Sequence, residues 1–188
     1  MYQFKSRVRY SETGVDARLS LMGIMNYMQD CSTFQSEDCG VGLAYLEEKN
    51  RAWLLSSWQI QILRRPALGE EITVCTWPYE IKGIYGLRNF TLMDGTGEYL
   101  VKANSCWFLL DTEAGKPVRV TREDVDAYGD EEPKLSMEWM EPFLKLNALM
   151  CGAGNHIKLL LACQVNEFHR ITGYTNRQLR VQLRMFLS

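Results

Sequence analysis

Histidine is scarce: the 188 residues include two, His156 and His169. Six cysteines (Cys31, Cys39, Cys75, Cys106, Cys151 and Cys163) form no CxxC pair, and none stands beside a histidine in a zinc-like pattern. No metal or other cofactor is therefore expected. Cys75 and Cys106 sit among apolar, strand-like neighbours, as small reduced core residues would. Long apolar runs are missing too. Nothing approaches the roughly 18 to 20 uninterrupted apolar residues of a membrane span. The opening MYQFKSRVRY has no apolar core of signal-peptide length, so a cytoplasmic setting is expected. No P-loop, GxGxxG or GxSxG elbow occurs, which sets aside phosphate-loop, dinucleotide and serine-elbow chemistry.

What is present is globular. Apolar residues make up 46% and charged residues 23%, with a formal net charge of −2, enough chain for one comfortable domain. Charge is unevenly placed. Residues 1–141 hold 15 Lys+Arg against 22 Asp+Glu, whereas residues 142–188 hold 6 basic residues against the single acid Glu167. That break near Pro142 divides a domain over 1–140 from an atypical basic tail over 141–188. Arg170, Arg177, Arg180 and Arg184 hint at nucleic acid. The chain as a whole is mildly acidic, with a pI of about 5.8, and carries no recognised nucleic-acid module. No nucleic-acid partner is expected.

Periodicity gives the order of elements. Tyr2 to Tyr10 alternates and reads as a strand. A loop containing Gly14 follows, and Ser20 is a plausible N-cap. Leu21, Ile24, Met25, Met28 and Cys31 then recur at helical spacing, widened by Met22, Tyr27 and Phe34 into a face too apolar for a surface helix. Gly40 is placed to end this helix. Strands are predicted over Trp53–Leu63, Glu71–Tyr79, Tyr85–Asp94 and Tyr99–Asp111, with a hairpin at Asp94-Gly95-Thr96-Gly97. A short edge strand PVRV and a brief helix capped by Thr121 complete the series. Connections this short force antiparallel neighbours. One sheet must then bury one very apolar helix, which predicts an α+β hot-dog fold, a curved antiparallel sheet wrapped around a long central helix.

On that pattern, particular residues resemble a known family. NYMQDCSTFQSEDCGVG (26–42), WLLSSWQIQILRRPALGEEITVCTWP (53–78) and YGLRNFTLMDGTGEYLVKANSCWFLLDTEAGKPVRV (85–120) are similar to the N-terminal repeat of acyl-acyl carrier protein thioesterases. The resemblance runs in one ordered sweep from about Met1 to Trp139. It implies hydrolysis of fatty acyl-acyl carrier protein to free fatty acid, with acyl carrier protein or a CoA thioester as substrate partner. The family is a tandem double hot dog whose first repeat shapes the acyl pocket. Its catalytic residues lie in the second repeat, as an Asp-x-Asn-x-His motif with a further acid downstream. His156 follows Asn155 directly and His169 has Glu167 before it, but neither completes that motif. After Trp139 only 49 residues remain, against about 100 for another hot dog. The tail is expected to be a truncated, diverged or frame-altered replacement, and no family catalytic residue carries over.

Three carboxylates of the helix segment remain to be assigned. Glu37 is the in-chain candidate for catalysis, since some single-repeat hot-dog enzymes carry their acid on this helix; it also reads as a solvated residue of the last turn, as does Asp38. Asp30 reads as a structural acid, with Asn26 as a partner four residues away. Substrate-binding candidates are Met22, Met25, Asn26, Met28 and Trp53. Methionine suits an adaptable acyl tunnel and equally suits plain core filling. The turn before Leu21 offers helix-start N–H groups to a thioester carbonyl, by analogy with the fold. Trp58, Trp77 and Trp107 are expected in core or interface, and Arg64 and Arg65 either meet an acidic carrier or are merely solvated. Three readings stand: an acyl-acyl carrier protein thioesterase lacking its second repeat, a non-catalytic acyl-binding or assembly domain, and a single-repeat acyl-CoA thioesterase using Glu37. Homodimerisation is expected, because a lone hot dog exposes a sheet edge and a helix flank.

Overall fold

A computed structural model of the chain describes residues 1–130, 132–137, 149–153 and 156–162. Pro142, Asn155, Cys163, Glu167, His169 and the four tail arginines lie outside the described residues. Among those described, the elements run β1 (Tyr2–Arg7), α1 (Leu21–Asp38), α2 (Leu43–Glu48), β2 (Arg51–Ile62), β3 (Glu71–Lys82), β4 (Tyr85–Asp94), β5 (Tyr99–Asp111), β6 (Lys116–Pro117), α3 (Arg122–Asp126), β7 (Leu149–Ala153) and β8 (His156–Ala162). All eight strands join one antiparallel sheet in the order β1-β3-β4-β5-β2-β8-β7, with β6 on β5.

The long helix begins and ends where its capping residues dictate. Ser20 Oγ accepts the Gly23 N–H at 3.0 Å, satisfying an orphan donor of the first turn. At the other end Gly40 takes a φ of +75°, a left-handed conformation that closes the helix cheaply only for glycine. Ile24, Met25, Tyr27, Met28 and Cys31 are buried against Trp58, Ile60, Val74, Phe90, Leu92 and Val101 from the sheet. Each large apolar side chain enclosed in this way contributes roughly 1.5–3 kcal/mol. The sheet therefore curls round α1, and the hot-dog fold expected from the sequence is the fold observed.

Several boundaries move. The first strand stops at Arg7, and Tyr10–Glu12 form a 3-10 turn instead of extending it. The turn has a packing role, because the Glu12 carbonyl accepts from Ser20 N–H and Oγ–H, both at 2.9 Å. The edge strand expected over PVRV shrinks to Lys116–Pro117. Leu43–Glu48, which has no periodic apolar stripe long enough to announce itself, forms the short helix α2. Phe34, expected to widen the buried stripe, is 45% exposed and meets Phe4 edge-on at 5.6 Å. Asn26 donates to Glu12 at 3.0 Å, a tertiary partner that helical spacing does not reveal. The β2 edge is covered over its second half: β8 pairs with it from Ser57↔Ala162 to Ile62↔Ile157, so the basic segment supplies two strands to the sheet.

Both arginines of the Arg64-Arg65 pair are used internally. Arg64 forks onto Glu70 at 3.0 and 2.7 Å, and Arg65 reaches Asp16 at 2.8 Å and the Leu19 carbonyl at 2.9 Å. Cys31 and Cys75 are buried free thiols, in keeping with the reduced core expected. Burial pushes the Cys31 thiol up to about 12, far from reactivity at neutral pH. Trp58 is buried in the core, and the indole N–H of Trp77 donates to the Pro133 carbonyl at 2.9 Å.

Two predictions come from these packing details. A Cβ on Gly23 would stand 2.5 Å from the Glu12 carbonyl oxygen and 2.7 Å from a Leu19 methyl. Gly23→Ala should lower stability by about 2 kcal/mol through overpacking, read as a lower urea midpoint. Asp124 joins α3 to the body by accepting from Tyr45 at 2.9 Å, Arg51 at 3.2 Å and the Thr121 N–H at 2.7 Å. Desolvation pushes its carboxyl up, yet these hydrogen bonds and Arg51 outweigh it and hold it below the usual range. A depressed folded value means the contribution is full above the unfolded pKa of about 3.9 and is lost as pH falls through the folded one. Asp124→Asn should thus destabilise at pH 7, and its deficit relative to wild type should begin to shrink below about pH 4 and disappear only once the pH has fallen through the depressed folded value.

Candidate functional site

The cleft forms where the C-terminal half of α1, the helix α2 and the neighbouring ends of β2–β5 fail to close on one another. Its lining includes Ser36, Glu37, Leu46, Trp53, Arg88 and Tyr128, around a cavity of about 90 Å³. Two local irregularities hold it open. Pro78 has no N–H for the ladder, and the β3–β4 register slips between Pro78 and Glu80, opposite Arg88. Gly86 has no side chain, so the Trp53 ring lies across it, with a would-be Cβ only 3.3 Å away.

Arg88 is the unusual member. On β4 it shares the inward face with Phe90 and Leu92, where alternation calls for an apolar side chain. It is 8% exposed. Its Nη1 donates to Gln35 Oε1 on α1 and to Thr76 Oγ1 at 3.1 Å, and its guanidinium carbon lies 5.3 Å from the Tyr128 ring centre. Tyr128 is held in turn by a 2.9 Å hydrogen bond with Ser36. Desolvation pushes the arginine pKa down, with Tyr128 and the thiols of Cys31 and Cys39 opposing it. Every group bonded to this cation is neutral.

Glu37 reaches the cleft too, but with a structural task. Its Oε1 accepts the Leu43 N–H at 2.8 Å, at the first residue of α2. The carboxylate thereby meets both an orphan donor and the positive end of that helix. Trp53 lines the cleft as well. The other four candidates do not. Met25 and Met28 are enclosed in the core, Met22 is half-buried, and Asn26 is half-buried on Glu12. The helix start offered to a thioester carbonyl is distant. Sixteen residues separate Leu21 from Glu37 along α1, about 24 Å at 1.5 Å per residue. Arg88, Trp107 and Tyr128 also line the cleft, although neither spacing nor motif singles them out for it. The one signal, for Arg88, was a charge on the inward register of a strand otherwise buried.

A buried helix enclosed by one curled antiparallel sheet, with a mixed polar and apolar cleft at its C-terminal end, makes this a hot-dog domain. A family description, the acyl-ACP thioesterase N-terminal domain, matches residues 1–128. The chain belongs to the acyl-ACP thioesterase family. It is 28% identical over 173 residues to a chloroplastic acyl-acyl-carrier-protein hydrolase of Cuphea viscosissima, covering 86% of this chain and 40% of that relative. It is 29% identical over 112 residues to a chloroplastic palmitoyl-acyl carrier protein thioesterase of Gossypium hirsutum, covering 55% of this chain and 27% of the relative. The chain thus spans well under half the length of these relatives. Among solved structures, an acyl-ACP thioesterase from Bacteroides thetaiotaomicron superposes with a TM-score of 0.67 at 24% identity, over 78% of this chain and 59% of that one. A probable thioesterase from Escherichia coli superposes with a TM-score of 0.62 at 14% identity, over 69% of this chain and all of that one. At such identities the structures establish the fold.

A cycle tests the role of Glu37. A Cβ at Gly42 would overlap the Glu37 carboxylate, so Gly42→Ala should dislodge it from α2. Gly42→Ala and Glu37→Ala should each cost roughly 1 kcal/mol, and the pair should cost little more than either alone. Chemical denaturation of the four proteins measures this coupling.

Proposed function

We propose that this chain is the acyl-holding part of a thioesterase that releases free fatty acid from fatty acyl-acyl carrier protein. Membership of the acyl-ACP thioesterase family supports the substrate class. The observation that carries the division of labour is the separation along α1: its N–H-rich start and Glu37 stand about 24 Å apart. One copy does not bring the N–H-rich start of α1 and this acid to the same carbonyl. A second repeat or a second copy is needed to complete a hydrolytic centre, and a cytoplasmic homodimer belongs to the same proposal. Met22, Met25 and Met28, unbranched and adaptable, are the side chains whose shifts would lengthen the cleft along α1 for an acyl tail. Trp53 supplies a flat wall at its mouth.

The second reading, a domain that binds acyl chains without hydrolysing them, is favoured by the engagement of Glu37 as the cap of α2. Hydrolysis assays on acyl-acyl carrier proteins and acyl-CoA thioesters of increasing chain length separate the two. The chain joined to a family second repeat should turn over carrier-protein thioesters, and Glu37→Ala should leave that rate within about two-fold. A rate lowered a hundred-fold or so by Glu37→Ala would instead make it the catalyst. Turnover absent from the joined protein would leave the binding reading.

A further inference from the structure

The cleft holds a feature that thioester hydrolysis does not require. Arg88 keeps its charge at any ordinary pH, yet no ion pair to it occurs among the described residues. Its partners, Gln35, Thr76 and Tyr128, carry no charge. A buried cation without a counter-charge is costly to the fold, and natural proteins normally pair it. Gln35 and Thr76 both take their hydrogen bonds from Nη1 and Tyr128 is a third neighbour, so these three partners do not use all five N–H donors of the guanidinium, and Arg88 lines the cleft. A guanidinium edge with two parallel N–H groups matches a carboxylate in fork geometry.

We infer that Arg88 is the anchor of a subsite for an aliphatic carboxylate, with the guanidinium taking the carboxylate and the Trp53 and Trp107 rings flanking the first methylenes. The choice of a carboxylate over a phosphate rests on charge and lining. One cation offers a single compensating charge, Glu37 at the same cleft repels a dianion, and Leu46, Trp53, Ile81 and Trp107 give the walls an apolar character. A long-chain alcohol shares the tail and lacks the charge, so it should bind far less well. This inference names a ligand for the cleft described above and shares the family reading of its substrate, but it needs no turnover. A free fatty acid seated there would occupy the cleft after release, making product retention a property of this domain.

Equilibrium binding of decanoate and of decanol to the unmodified chain, followed by calorimetry, tests it directly. Decanoate should bind at least ten-fold more tightly than decanol, and inorganic phosphate should not displace it. Arg88→Met should abolish that preference, and Arg88→Lys should keep part of it because a point charge replaces the fork. Equal affinities for decanoate and decanol in the wild-type protein overturn the inference, even if Arg88→Met does not fold. So does a folded Arg88→Met protein that retains the preference. Displacement of decanoate by inorganic phosphate overturns the choice of carboxylate. Failure of hydrolysis with the preference intact would count against the proposed function alone.

Discussion

The burial of one face of α1 inside a curled antiparallel sheet is the constraint on which the remaining structure depends. Ile24, Met28 and Cys31 are fully enclosed, and their partners come from strands widely separated in sequence. Removing apolar surface from water is non-directional, so it explains why the helix is inside but not how it is oriented. Orientation comes from polar fixings in the N-terminal half of the helix. Ser20 and the Glu12 carbonyl seat the first turn, and Tyr27 receives the Arg9 N–H while donating to the Arg7 carbonyl at 2.7 Å. Past Cys31 the enclosed face turns polar, through Ser32 and Gln35. That change in character is what leaves a cleft.

The cleft concentrates the exceptions to ordinary folding rules. A proline interrupts an interior strand, a register slips beside it, a glycine yields space to an indole, and an arginine occupies an inward strand position. Each has a local cost. Such departures from consistency are expected where a protein does something other than fold. Glu37 shows the opposite case. It sits at the same cleft, yet its hydrogen bond to α2 gives it a sufficient structural reason to be there.

The central helix, its Ser20 cap, its Gly40 terminus, the four long strands and the Asp94–Gly97 hairpin were legible because their signals are local: periodicity, capping chemistry and positive-φ glycines. Thr121 belongs with them, since its capping box with Asp124 is a four-residue pattern. Phe34 was misplaced for the reason that a helical stripe gives an angle but not the width of the partner surface. The bond from Asn26 to Glu12 was not legible because spacing along α1 says nothing of a residue fourteen positions earlier. The short α2 was missed because six residues do not establish a period.

By itself the amino-acid order determined the kind of fold and the family, since both rest on the succession of hydrophobic periods and on short motifs read in line. Which side chains share a site was decided only by tertiary structure. Arg88, Gln35, Thr76 and Tyr128 come from four separate segments, and β3–β5 register together with the depth of α1 brings them within contact. The physical reason is range. Periodicity and capping act over a few residues, whereas the meeting of a guanidinium with its neutral partners depends on how far the sheet closes around the helix.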